Sequence, residues 1–183
     1  MSFHTTPLAG MFEIRTQPLA DDRGSFVRLF CDDEFAGIRQ DVHFTQVNLS
    51  RTTARGTLRG MHFQRPPHAE AKLIRCVRGH VLDVVVDVRV GSPTWLHWHA
   101  VELSDDNERM VFIPEGFAHG FQALADDSQL LYMHTASWAP GVEGQLRFDD
   151  PVVGITWPLP PTLVSDRDLT APLVGSGFEG VAL

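Results

Sequence analysis

Residues 72–90 read KLIRCVRGHVLDVVVDVRV. Branched apolar residues recur here at period two, the pattern of a strand with distinct faces. The break at Arg78-Gly79 predicts a hairpin turn between two strands. Working outward, residues 43–50 (HFTQVNLS), 96–103, 109–113 and 119–135 carry the same kind of text, punctuated by Gly, Pro, Asp and Asn. Gly91-Ser92-Pro93 and Ser104-Asp105-Asp106-Asn107 read as further turns. Strands spaced by about eight to twelve residues predict a β-sandwich or barrel. Helical text is confined to residues 32–36 and a turn near 165–169. Trp157-Pro158-Leu159-Pro160-Pro161 must be extended, because proline fixes its own φ and restricts the residue before it. No repeat and no linker divides residues 1–183, so one domain is expected. Its Gly-rich tail, from about Gly175, is expected to be loosely held.

The chain has 183 residues and a formal net charge of −8, with 43% hydrophobic and 21% charged residues. The acidic balance argues against non-specific nucleic-acid binding and leaves room for an anionic ligand held by local Arg and Lys. Cys31 and Cys76 form no C-x-x-C pair and read as reduced thiols. The N-terminus lacks a basic stretch followed by an apolar one, and no apolar run approaches the ~20 residues of a membrane helix. A cytoplasmic protein, with neither membrane nor nucleic acid as partner, is expected.

One lysine, Lys72, and one tyrosine, Tyr132, stand beside fourteen arginines. A compact ammonium can approach a developing oxyanion closely, which a broad guanidinium does poorly. A phenol is a neutral proton donor with an ordinary pKa near ~10. In Gly56-Thr57-Leu58-Arg59-Gly60-Met61-His62-Phe63-Gln64, Arg59 and His62 would face opposite sides of a regular strand. A shared pocket requires a bend at Gly60, which glycine permits. Phe112-Ile113-Pro114-Glu115-Gly116-Phe117-Ala118-His119-Gly120-Phe121 delivers His119 at the head of an apolar strand. Tyr132 follows on the next strand, and Ser165-Asp166-Arg167-Asp168 supplies loop carboxylates.

These motifs, R-G-M-H-F-Q, Lys72, P-E-G-F-A-H-G-F and Tyr132, resemble the 3,5-epimerases of nucleotide-diphospho-4-keto-6-deoxysugars, the dTDP-4-dehydrorhamnose 3,5-epimerase family. Asp22-Arg23-Gly24, Gln46-Val47-Asn48, Asp149-Asp150-Pro151 and Gly154-Ile155 extend the resemblance over residues 12–174. It implies an all-β, cupin-like double-stranded β-helix (jelly-roll) barrel with an extended N-terminal segment and few short helices. It also implies a nucleotide-diphosphate sugar substrate, a homodimer, and neither metal nor organic cofactor. Both inverted carbons flank a C4 ketone, which makes each carbanion an enolate. Three groups are therefore needed: a base, an oxyanion stabiliser and an acid on the opposite face.

Matched position by position, the resemblance makes His62 the base, with Asp168 fixing its tautomer. Lys72 becomes the oxyanion stabiliser and Tyr132 the acid. Arg23, Arg59 and Arg167 match diphosphate and sugar contacts. Gln46, Asn48, His119 and Glu143 match polar substrate contacts, and Trp138 stands where an aromatic stacks on the base. Asp22-Arg23-Gly24 is implied to reach into the partner subunit's site. Two features depart from the family pattern. Arg28 stands near the nucleotide where Glu is usual, and Met133-His134-Thr135-Ala136-Ser137 lacks the usual Lys after the Tyr. They leave the chemistry retained and the identity of the nucleotide base open.

Epimerisation at C3 alone fits the same motifs. A metal-dependent cupin would use His97-x-His99 with His119, but the expected Glu and matched His are missing. Trp95, His97 and His99 are instead expected on an exposed face. A non-catalytic sugar-binding barrel is opposed by the intact His62, Lys72, Tyr132 and Asp168 set.

Overall fold

The computed structural model describes residues 1–175 and 178–183. In chain order the strands are β1 (Ser2–Thr5), β2 (Phe12–Arg15), β3 (Leu19–Asp21), β4 (Gly24–Phe26), β5 (Gln46–Thr52), β6 (Leu58–Gln64) and β7 (Lys72–Arg78). They continue as β8 (His80–Asp87), β9 (Trp98–Ser104), β10 (Arg109–Ile113), β11 (Phe117–Ala123), β12 (Ser128–His134) and β13 (Glu143–Gln145). Two short helices, α1 (Asp32–Phe35) and α2 (Asp166–Leu169), complete the set among the described residues. Both fall where helical text was expected.

The strands form a six-stranded sheet, β1-β2-β10-β7-β12-β5, and a five-stranded sheet, β13-β6-β11-β8-β9. The ladders within both are antiparallel. This is the jelly-roll expected from the sequence, with one correction in its deciding stretch. β7 and β8 do not form a hairpin. β7 pairs with β10 and β12, whereas β8 pairs with β11 and β9. Gly79, at φ +79°, turns the chain from one sheet into the other. A Cβ there would come within 2.7 Å of Ser128 Oγ.

Burial explains why the text misleads. β7 is buried from Lys72 through Cys76, and β8 from Asp83 through Asp87. These are central strands covered on both faces, where continuous apolar text is the norm. Between the sheets lie Ile74, Cys76, Val81, Val85, Phe117, Phe121 and Leu130, with Tyr132 packed against them. The outer face of the five-stranded sheet, at Val84 and Val86, is covered by Trp95, Leu146, Trp157 and Phe178. The outer face of the six-stranded sheet, at Leu73 and Phe112, is covered by Phe35 of α1 with Val42 and Phe30.

Two further expectations change. His97 is exposed, but Trp95 belongs to the outer cover, its ring 6.0 Å from that of Phe178. The strand begins only at Trp98, after Leu96 has taken φ +62°. The C-terminal tail, expected to be loosely held, is packed against the barrel at Phe178 and Val181 and exposed at Ala182 and Leu183, while Ser176 and Gly177 lie outside the described residues. The Val181 N–H donates to the Val88 carbonyl at 2.7 Å, and the Val181 side chain is buried. By contrast β3 and β4 pair only with each other, and all their residues are exposed. No helix among the described residues is long and apolar enough to cross a membrane.

Candidate active site

A cavity of about 680 Å³ opens between the sheets, and its lining includes His62, His119, Lys72, Tyr132, Arg59 and Asp168. Local backbone brings Arg59 and His62 to it together. Gly60 sits at φ +137°, and the β6–β11 register shifts between His119 and Phe121. A Cβ on Gly60 would lie 2.5 Å from the Cα of Gly120, so the close approach of these two strands requires glycine. The bend expected at this position is therefore present.

His62 Nε2 lies 2.7 Å from Asp168 Oδ1. Asp168 is carried by α2, whose N-cap Ser165 accepts the Asp168 N–H at 3.2 Å. The second carboxylate oxygen accepts the Gly60 N–H at 3.3 Å. Burial pushes the Asp168 carboxyl up, but the His62 hydrogen bond and charge outweigh it and hold it below the usual range. With Nε2 donating to this carboxylate, His62 has Nδ1 as its free base nitrogen.

A second pair lies beside the first, since His119 and His62 are register partners on β11 and β6. His119 Nε2 is 2.7 Å from Asp83 Oδ2. Burial lowers the His119 pKa and so favours its neutral form; Asp83 opposes this only in part. Asp83 is fully buried, and its Oδ1 has no hydrogen-bond partner among the described residues. Sequence reasoning missed Asp83. Its signal was a charged residue on the inward face of an apolar strand, with Val81 and Val85 on either side at period two.

The six-stranded sheet supplies the remaining groups. Lys72 is 7% exposed, with Nζ 3.3 Å from Glu70 Oε1 and 3.4 Å from the His62 carbonyl. The Tyr132 ring stands edge-on to His119 at 5.9 Å and lies nearly parallel to His134 at 5.9 Å. Burial raises the Tyr132 pKa well above its usual value, with the Asp83 charge adding to it, so the phenol keeps its proton. Glu70 and His134 were not singled out as site residues. His134 could have been found in the divergent 133–137 stretch.

Asn48, Arg59, His119 and Arg167 also reach the cavity, and Glu143 meets Arg167 at 3.1 Å. Five expected binding residues, Glu143 among them, lie outside its lining in their own chain. Arg23 is paired with Asp21 on the exposed β3–β4 hairpin, and Arg28 is bound to Glu34 at 2.9 Å. Gln46 accepts the Trp138 backbone N–H at 2.9 Å, and Trp138 is 56% exposed. His97, His99 and His119 do not converge. His97 lies before β9, His119 is committed to Asp83, and no cluster of three or more such ligands occurs among the described residues.

The family model of dTDP-4-dehydrorhamnose 3,5-epimerase matches residues 5–175. The chain belongs to the dTDP-4-dehydrorhamnose 3,5-epimerase family. This family member is 46% identical to the dTDP-4-dehydrorhamnose 3,5-epimerase of Mycolicibacterium smegmatis, over 94% of this chain and 85% of that one. The crystal structure of dTDP-6-deoxy-D-glucose-3,5-epimerase from Legionella pneumophila, in complex with dTDP-4-keto-L-rhamnose, superposes with a TM-score of 0.92. It is 32% identical, covering 100% of this chain and 98% of that one. A 3'-monoepimerase from Streptomyces bikiniensis, in complex with dTDP-quinovose, gives a TM-score of 0.92 at 34% identity, over 98% of this chain and 92% of that one.

Proposed function

We propose that this epimerase inverts C3 and C5 of dTDP-4-dehydro-6-deoxyglucose to give dTDP-4-dehydrorhamnose. The observation that carries the reading is the division of the cavity wall. His62 comes from β6 on one sheet, and Lys72 and Tyr132 come from β7 and β12 on the other. A sugar ring between them has a base on one face and an acid on the other.

His62 Nδ1 takes the proton from the carbon beside the ketone, while Asp168 stabilises the imidazolium that forms. The C–H electron pair moves into an enolate, whose oxygen faces the Lys72 ammonium. Tyr132 gives its proton to the same carbon from the opposite face, completing inversion. The phenolate then regains a proton from solvent, and the imidazolium releases the one it took. The second carbon repeats the cycle. Arg59 and Arg167 at the cavity are suited to the diphosphate.

The β3–β4 hairpin we assign to the cavity of a second copy, with Arg23 as its contact. A lone two-stranded ribbon is marginal in water, and Leu19 and Phe26 are 75% and 74% exposed on this one. Gln46 stands two residues from cavity-lining Asn48 on β5, and with Trp138 it is a candidate for holding the nucleotide. We place the reaction in the cytoplasm, in keeping with the free thiols of Cys31 and Cys76.

Proton NMR of the thymidine 4-keto-6-deoxyglucose nucleotide in deuterated water tests the reading. Loss of the signals at both C3 and C5 is expected. Loss at C3 alone makes the protein a 3-epimerase, and no exchange removes the reading. Light scattering on the same sample is expected to give a dimer, and a fully active monomer would remove the hairpin's role.

A further inference from the structure

We infer that Glu70 and His134, which take no proton from the substrate, are positioning residues that hold the Lys72 ammonium and the Tyr132 ring in place. The inference rests on the roles proposed above for Lys72 and Tyr132.

Lys72 and His134 are register partners on neighbouring strands β7 and β12. Glu70 serves both from the connection before β7. One carboxylate oxygen is 3.3 Å from Lys72 Nζ, and the other is 2.8 Å from His134 Nδ1. The connection is fixed to the same end of β12: the Ala71 N–H donates to Thr135 Oγ1 at 2.8 Å, and the Thr135 N–H donates to the Ala71 carbonyl at 3.0 Å. Burial raises the Glu70 pKa, but the His134 hydrogen bond and the Lys72 charge more than offset it, so the carboxylate stays ionised.

The imidazole is tied at both ends. His134 Nε2 is 3.3 Å from Asn48 Nδ2, so the Asn48 amide donates to Nε2 and His134 Nδ1 carries the hydrogen given to Glu70. Its ring then forms a fixed platform, 14° from parallel, behind the Tyr132 ring. A single carboxylate thus sets the ammonium and, through the imidazole, the phenol.

Glu70 has a second task, as the counter-charge of Lys72. Lys72 shares the cavity with the imidazoles of His62, His119 and His134, and Glu70 is its one anionic contact among the described residues. A buried ammonium stripped of its counter-charge favours the neutral form. Sharing the carboxylate with His134 gives Lys72 a counter-charge without engaging it fully. Its partners are one carboxylate oxygen and one distant carbonyl, which leaves an N–H for a ligand oxygen.

The test compares wild type with Glu70→Gln, Glu70→Asp and His134→Gln, following solvent deuterium exchange and net epimerisation as a function of pH. Glu70→Gln is expected to lower exchange and inversion together, by about tenfold or more in kcat with KM within about threefold. Its alkaline limb should move to lower pH. Glu70→Asp should restore part of both at the thermal stability of Glu70→Gln. His134→Gln keeps a donor for Glu70 but removes the platform, so inversion should fall more than exchange. Wild-type kcat and pH profile in Glu70→Gln, or a wild-type ratio of exchange to inversion in His134→Gln, would overturn the inference. Activity losses that follow only the loss of stability across all three variants would do the same. A wild-type enzyme without exchange would fail the proposed function itself, which tells the two failures apart.

Discussion

The five-stranded sheet brings imidazoles to the cavity, each tied to a carboxylate: His62 to Asp168 and His119 to Asp83. The six-stranded sheet brings an ammonium and a phenol, Lys72 and Tyr132, backed by Glu70 and His134. One wall is equipped to accept a proton and the other to stabilise an oxyanion and donate one. Hydrogen bonding to Asp168 would stabilise the imidazolium formed when His62 takes a proton. Burial keeps a phenol protonated. Inversion of a carbon beside a ketone requires those two environments on opposite faces of the sugar, and a barrel made of two sheets separates them by construction.

The largest effect should come from removing the base. His62→Ala is expected to abolish solvent exchange at both carbons, a loss of at least about 10³-fold, and Asp168→Asn to cost about 10²-fold. Isotope exchange measured by mass spectrometry checks the order. An Asp168→Asn enzyme as active as wild type would break the pairing of the five-stranded wall.

The smallest effect concerns the buried phenol and sharpens the contrast from the other side. Unfolded tyrosine ionises near pH ~10, whereas folded Tyr132 has its pKa raised above that value. The unfolded state therefore loses its proton first, and the associated stability, complete below about pH 10, is lost as the pH rises towards the folded value. Tyr132→Phe should hold its denaturation midpoint better than wild type between about pH 9.5 and 11. Parallel curves would mean that the phenol is not in a desolvated site.

The sequence carried the larger part of this arrangement. The β class was legible in residues 72–90 because central strands of both sheets read as branched, apolar text. The sheet assignment was not, because Gly79 gives a turn signal whether the next strand pairs with the last or crosses the barrel. His62, Lys72, Tyr132 and Asp168 were legible through motifs that keep their order along the chain, and all four line one cavity. Glu70 and His134 are 64 residues apart, and Asp83 and His119 are 36 apart. Only strand register brings such partners together. Arg23 points to a different limit, since a single chain leaves the hairpin that carries it without a surface to rest on.

We hold that the two sheets divide the proton transfers between them. Tyr132→Phe in deuterated water, with deuterium incorporation and epimer formation followed in the same sample, tests it most directly. Inversion is expected to fall by about 10²-fold or more while exchange through His62 falls by less than about tenfold. Equal loss of both, or unchanged inversion, would contradict it.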